Sequence, residues 1–320
     1  MNILVTGGLG LIGHNVVKRL QDQGHIVSII DTKTNYGIIP QEEIDYLIYN
    51  RLKKIDEYKG AVYTYDISSN DIAGVFQIEE PEIVIHMASF PRQKVVNANP
   101  TLGSRTMSEG LLNLLETSDK YEVRKFIYIS SSMVYGDFTD DVTEDAICKP
   151  QGQYGIMKLA GEWLVRDYSR RTNLVHTIIR PSAVYGPLDV EDRVISKFLL
   201  TAMRGETIKV NGETETLDFT YVDDAADGIV SASLSDNTEN KTYNITKSHS
   251  VTLLEAARMA LELVGGGSLL VGDKDPDFPS RGRLNIDAAR RDFGFDPKVD
   301  VAEGFKIYYD WLKSSSYFNK

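Results

Sequence analysis

The sequence predicts an α/β protein built on a doubly wound parallel sheet. Three observations carry this. Apolar strand-like runs alternate with amphipathic helical segments from Asn2 to Ile179. The run Ile83-Val84-Ile85-His86-Met87-Ala88 is almost wholly apolar, as in a central strand covered on both faces. The first strand, over 2–6, leads through Gly7-Gly8-Leu9-Gly10-Leu11-Ile12-Gly13 straight into a helix. Strand, glycine turn and helix in that order are the opening unit of a Rossmann-type fold.

Each element follows from its pattern. The helix over 14–23 carries Val16, Val17 and Leu20 on one side, and a strand over 26–30 ends in Asp31. The connection 32–60 is long, and its middle, 42–58, reads as a helix. A strand over 62–65 ends at Asp66-Ile67, and 71–77 reads as a short helix. After the apolar strand over 83–88 comes a helix over 102–117, with Leu111, Leu112, Leu114 and Leu115 near its end. The strand over 125–129 finishes at Ser130-Ser131-Ser132; a helix runs from Tyr154 to about Arg171; a strand over 174–179 ends at Arg180-Pro181. Sites in such folds lie at the carboxyl ends of strands. Gly10, Asp31, Asp66, His86 and Ser131 all fall there.

Beyond Pro187 the alternation breaks down. Helices are expected over 194–204, 224–234, 253–264 and 301–312, with strands over 209–210 and 243–245. This pattern predicts a smaller C-terminal α/β domain interleaved with the first. The expected partition is 1–179 for dinucleotide binding, with 218–245 returning to it, and 180–217 with 246–320 for substrate. Phe305, Tyr308, Tyr309 and Trp311 stand at helical spacing and read as core.

The glycine turn has a chemical reading. Gly7 permits the tight turn, Gly10 lets a pyrophosphate approach the backbone, and Gly13 lets the helix pack on the sheet. The helix N-terminus offers N–H groups to phosphates, and Leu11 and Ile12 lead into it. Asp31 comes 18 residues after Gly13, where a carboxylate meets the adenosine ribose. An acid there repels a 2′-phosphate, which favours NAD over NADP. Tyr154 and Lys158 stand four residues apart, on one helix face. An ammonium beside a phenol favours phenolate, so Tyr154 is expected to act as an acid/base on a sugar or alcohol hydroxyl.

Composition narrows the class. The chain has 320 residues, 42% hydrophobic and 25% charged, which are ordinary globular values. A formal charge of −11 argues against a nucleic-acid polymer as partner. Cys148 is the single cysteine, which excludes an internal disulfide, and it reads as a small apolar filler. No His/Asp/Glu grouping has metal-ligand spacing, so no metal is expected. The sequence lacks an 18-residue apolar stretch and a basic, cleavable leader. The expectation is a cytoplasmic protein that does not span a membrane.

Several further strings sit in a fixed order around these. They are Ser130-Ser131-Ser132-Met133-Val134-Tyr135-Gly136, Arg180-Pro181-Ser182-Ala183-Val184-Tyr185-Gly186-Pro187 and Asp218-Phe219-Thr220-Tyr221-Val222-Asp223-Asp224. Together with the glycine turn, Asp66-Ile67, His86-Met87-Ala88 and Tyr154-x-x-x-Lys158, they resemble the extended short-chain dehydrogenase/reductase family. The resemblance is to its NAD-dependent nucleotide-sugar epimerase/dehydratase branch and covers nearly the whole chain.

That resemblance implies Ser131 as the catalytic hydroxyl, Tyr154 as acid/base, and Lys158 as the residue that holds the nicotinamide ribose and tunes Tyr154. It implies NAD held by Gly7, Gly10, Leu11, Ile12, Gly13, Asp31, Asp66, Ile67, Met87, Ala88, Tyr154 and Lys158. Arg281 matches the family's C-terminal phosphate-binding Arg, and Arg283 is a substitute for one that is Leu217 here. Ser132 and Met133 join the substrate contacts, with Ser132 open between that role and local hydrogen bonding. Ser130 reads as a local backbone cap, and His86 as packing near the nicotinamide. Ala183 and Met107 stand where family members commonly have Asn.

The chemistry narrows at Ser132-Met133. The 4,6-dehydratases resemble one another in an Asp-Glu pair there, and decarboxylases have Glu at the Met133 position. A thioether does neither job. The 3,5-epimerases place a Cys there. What remains is redox chemistry at one carbon, and the Ser-Ser-x-Val-Tyr-Gly string looks most like the 4-epimerases. Such an enzyme removes the C4 hydride of a nucleotide sugar and returns it to the other face through a 4-keto intermediate. The alternatives are an NAD(P)H-dependent 4-keto nucleotide-sugar reductase and a non-catalytic dinucleotide sensor. The resemblance also implies a homodimer through the helices over 102–117 and 154–171.

Overall fold

The protein is described here by a computed structural model covering residues 1–37, 39–276 and 278–319. The alternation yields β1 (Asn2–Thr6), β2 (Ile26–Ile30), β3 (Val62–Tyr63), β4 (Ile83–His86), β5 (Lys125–Ile129) and β6 (Val175–Pro181). With the strand Lys241–Ile245 they form one seven-stranded sheet, in the order Lys241–Ile245, β6, β5, β4, β1, β2, β3. Every neighbouring pair is parallel. The winding reverses between β1 and β4, and a crevice opens at that switch point.

Pleating sends alternate residues to opposite faces. Ile3 and Val5 of β1 meet Val16, Val17 and Leu20 of the helix Leu11–Asp22 and Ile229 of the helix Val222–Leu234 on one face. Leu4 meets Leu111, Leu114, Leu115 and Val165 on the other. Burying one large aliphatic side chain contributes about 1.5–3 kcal/mol, so a one-residue slip of β1 would reverse a large term. A separate core gathers Phe198 and Leu199 of the helix Val194–Met203, Ala256 and Ala260 of Leu253–Val264, and Phe305, Tyr308 and Leu312 of Val301–Ser314. In the aromatic stripe of that last helix, Tyr309 and Trp311 are only half-buried. Buried Arg51 links this region to the glycine turn, donating to the Leu9 carbonyl at 2.9 Å and the Leu188 carbonyl at 2.6 Å.

Some elements depart from the pattern. The helix expected over 42–58 ends at Leu52, because Gln21 takes over the following backbone: its side chain bonds both the Asp56 N–H and the Asp56 carbonyl. The strand expected over 62–65 stops at Tyr63. The helix expected over 102–117 spans Pro100 to Lys120 and contains a π-turn at Arg105–Glu109, preceded by a short helix, Gln93–Ala98. The strand Ser268–Gly272 was not expected; it pairs with Thr207–Asn211 and is largely exposed, so it lacks an apolar signal. No helix of the described residues is long and apolar enough to cross a membrane.

Candidate active site

The carboxyl ends of the strands open onto a cavity of about 820 Å³. Gly7, Gly10, Leu11, Ile12 and Gly13 line it where β1 turns into its helix. Gly7 sits at φ +70°, and a Cβ there would lie 2.7 Å from the Ala88 nitrogen. A Cβ on Gly13 would lie 2.3 Å from the Gly7 carbonyl oxygen. The first N–H groups of the helix have no acceptor within it, and its positive dipole end meets the cavity. Asp31 stands at the end of β2, its carboxylate accepting from the Leu9 N–H at 2.9 Å and the Lys33 N–H at 2.8 Å. Asp66, Ile67, Met87 and Ala88 line the same space. A glycine-rich turn at a helix start, with a carboxylate beside it, fits a dinucleotide.

His86 lies behind this wall. It is buried, its Nδ1 is 2.7 Å from Thr6 Oγ1, and burial followed by the charge of Lys158 pushes its pKa down to about 3. A neutral packing histidine follows.

Ser131, Ser132, Met133, Tyr154 and Lys158 line the cavity together. Two local features bring them there. Ser131 caps the short helical turn Ser132–Val134 by accepting from the Met133 N–H at 3.2 Å. Gly155 then lets the helix Gly152–Arg171 approach, since a Cβ there would sit 2.6 Å from the Met133 carbonyl oxygen. Lys158 is buried and donates to the Ile129 carbonyl at 2.8 Å. Its ammonium lies 5.9 Å from the Tyr154 ring centre.

The electrostatics differ from the sequence expectation. Burial raises the Tyr154 phenol above its ordinary value; the charge of Arg193 and a hydrogen bond with Ser131 oppose this. Arg193 is the cation that most opposes burial at the phenol. The pKa of Lys158 itself falls to about 7, because burial disfavours the ammonium, with Glu162 acting the other way. In this state Tyr154 is a protonated acid rather than a phenolate.

Two further residues are corrected, Ser130 and Arg283. Ser130 caps no local backbone: its hydroxyl donates to Glu162 at 2.6 Å. Ser132, left open between substrate and local bonding, donates to Ser182 Oγ at 3.1 Å while lining the cavity. Arg281 also lines the cavity, its guanidinium lowered to about 10 by burial with Glu215 in partial opposition. Arg283 does not line it. Bridges at Phe138–Arg281 and Val142–Leu284 set the backbone so that Arg283 points out, 3.7 Å from Asp141. Among the described residues, no cluster of three or more His, Cys, Asp or Glu could hold a metal ion.

With this geometry fixed, sequence comparison decides the family. The model of the NAD dependent epimerase/dehydratase family matches residues 3–246. The chain belongs to that family. Similar members include the protein CapI of Staphylococcus aureus, 29% identical over 97% of this chain and 98% of its own. A putative UDP-glucose 4-epimerase of Methanocaldococcus jannaschii is 28% identical over 98% and 99%. Among solved structures, the UDP-glucuronic acid 4-epimerase of Bacillus cereus, in complex with UDP-glucuronic acid and NAD, superposes with a TM-score of 0.90. It is 26% identical and covers 98% of this chain and 99% of its own.

Within the epimerase/dehydratase frame, the chain adds cleft residues that motif reading passed over. Arg92 and Arg193 line the cavity, as does Gln93. Arg193 Nε lies 3.9 Å from Asp189. No spacing pattern marks these positions. Met107, standing where relatives commonly have Asn, is buried with Phe90, Val95 and Val96 against Tyr154, so the helix reaches the site through apolar packing. Glu162 was legible in principle: it continues the four-residue spacing of Tyr154 and Lys158.

Proposed function

We propose that this protein is an NAD-dependent nucleotide-sugar 4-epimerase. The observation that carries the reading is the meeting of Ser131, Tyr154 and Lys158 on the cavity that the Gly7–Gly13 turn also lines, with Met133 where dehydration chemistry needs an acid. Residues 1–179 with 218–245 hold the cofactor, and 180–217 with 246–320 hold the sugar and diphosphate. Bound NAD supplies the hydride acceptor at sugar C4 and the donor that returns it. Beside the positive charge of bound NAD the phenol is drawn toward phenolate; in that form Tyr154 takes the proton of the 4-hydroxyl and gives it back, while the Ser131 hydroxyl hydrogen-bonds the same oxygen. Lys158 has three N–H donors; one goes to Ile129, leaving others for a ribose hydroxyl. Arg281 takes a phosphate. Asp31 takes the adenosine ribose, which favours NAD over NADP.

The relatives named for UDP-glucose and UDP-glucuronic acid 4-epimerisation support this reading. We also propose a cytoplasmic homodimer. Ile156 and Trp163 are exposed on one helix, 52% and 64% respectively, and offer the apolar surface a helix-pairing dimer would cover.

The deciding experiment extracts the cofactor from purified protein, then screens UDP-, GDP-, CDP- and dTDP-sugars for isomer formation without added NADH. The expected result is bound NAD and an equilibrating pair of C4 isomers. Stoichiometric NADH consumption with a 4-keto sugar would replace the epimerase reading with a reductase.

A further inference from the structure

Behind the cavity wall lies a buried carboxylate that the proposed chemistry does not use. Tyr154, Lys158, Glu162 and Arg166 follow one another at four-residue spacing on the helix Gly152–Arg171, hence along one face. Glu162 is fully buried. It accepts from Ser130 Oγ at 2.6 Å, from Arg180 Nε at 2.8 Å and Nη2 at 2.7 Å, and from Arg166 Nη2 at 3.0 Å. Ser130, Ser131 and Lys158 line the cavity, whereas Glu162 and Arg180 are not among the described residues that do. Glu162 therefore cannot be a group that touches substrate.

We propose that Glu162 is a positioning residue: its carboxylate anchors the Ser130 end of β5 and keeps the neighbouring Lys158 ammonium charged in a dry site. The surroundings of Lys158 leave this task to Glu162. On its own helix it faces Tyr154, a neutral phenol, and Glu162. From β5, Tyr128 presents its ring 5.4 Å away, and the Tyr128 hydroxyl donates to the Lys158 carbonyl. From β4 comes His86, neutral and pushed down to about 3. The Ile129 carbonyl accepts from the ammonium but carries no charge. Burial lowers Lys158 to about 7, and the charge opposing it is that of Glu162. Burial would raise Glu162 itself, but the Arg180 hydrogen bonds and charge hold it below its ordinary range, so the carboxylate stays ionised. A buried ion pair that only braced the helix would keep Arg180 and Glu162 together without influencing Lys158.

For turnover this depends on the role proposed above for Lys158; the test does not. Glu162→Gln keeps the size and most acceptors of the side chain and removes its charge. In purified protein carrying its cofactor and 13C-labelled lysine, the Lys158 resonance, assigned by its loss in Lys158→Met, is titrated by NMR. The expected midpoint in Glu162→Gln is lower by about one unit. Where turnover is measurable, its alkaline limb moves down with the midpoint: about tenfold loss above the limb and little loss below it. An unmoved midpoint, with only lower thermal stability, overturns the proposal. If Glu162→Gln does not fold, the half-exposed Arg166→Gln serves instead: removing a cation from Glu162 raises the Lys158 midpoint, and no change overturns the proposal. A missing epimerase activity and an unmoved lysine are thus separate results.

Discussion

Arg92 donates to the Asp192 carbonyl at 2.6 Å and lies 2.9 Å from its carboxylate, joining two loops 100 residues apart across the cleft. Lys94 approaches the same carboxylate at 3.5 Å. Both Arg92 and Asp192 are about four-fifths buried, at 17% and 22% exposure, so the pair is a clasp at the cavity mouth rather than a solvated surface contact. Arg92→Gln and Asp192→Asn are expected to raise the KM for the nucleotide sugar several-fold with a smaller change in kcat. A double-mutant cycle on thermal unfolding should give a coupling of about 0.5–1 kcal/mol.

Removing the Tyr154 hydroxyl tests the proton step. Tyr154→Phe is expected to lower kcat by about 10²–10⁴-fold. Unfolding free energy should change by no more than about 1 kcal/mol, because one hydrogen bond with Ser131 is lost. Steady-state assays and urea melts check the two halves.

Closing the glycine turn tests the cofactor cradle. A Cβ at Gly13 meets backbone on two sides, the Gly7 oxygen at 2.3 Å and the Gly8 Cα at 2.8 Å, and neither can swing aside as a side chain would. Gly13→Ala is expected to cost about 1–3 kcal/mol of stability and to abolish NAD retention. Calorimetry with added NAD, and the absorbance of cofactor released from purified protein, measure this.

Acid should destabilise the fold. Burial holds His14 and His86 down at about 3, aided by Arg51 and Lys158 respectively, and His176 at about 4. An unfolded histidine titrates near 6.5, so between these values the unfolded chain binds more protons and stability rises with pH. The contribution is complete above about pH 6.5 and is lost as pH falls toward 3. Asp218, pushed up to about 6 by burial, works in the opposite direction from about pH 4 to 6. Burial raises Glu43, Glu144, Asp189 and Asp224 as well, so the loss on acidification is clearest where the histidines act without the carboxyls, between about pH 7 and 6. Urea unfolding at pH 7, 6, 5 and 4 should show it, and His86→Gln should flatten the slope by about 1.4 kcal/mol per pH unit.

Local pattern made the frame legible. Strands covered on both faces announce themselves as apolar runs, as at Ile83–His86, and the turn from β1 into its helix needs glycines that no other residue replaces. Legibility failed where a distant partner decides. Gln21 ends the helix Gln41–Leu52 from the neighbouring layer, and Thr207–Asn211 gives Ser268–Gly272 its pairing. In the cleft, Ser131, Tyr154 and Lys158 are marked by spacing, but the charge acting on Tyr154 belongs to Arg193, on a loop that carries no motif. Arg283 shows the converse: two arginines separated by one glycine look equivalent in sequence, and backbone bridges turn one inward and the other out.

The two carbonyls held by Arg51 belong to different parts of the cleft: Leu9 to the glycine turn, Leu188 to the loop that carries Asp189 and Arg193. One buried guanidinium bonded to both makes movement of either loop a movement of both. On the proposed function, occupancy of the turn by a dinucleotide is expected to order part of the loop at Leu188, and linkage then requires that a bound nucleotide sugar tighten the dinucleotide by the same factor. An enzyme wired this way gives up its cofactor most reluctantly when its substrate is present.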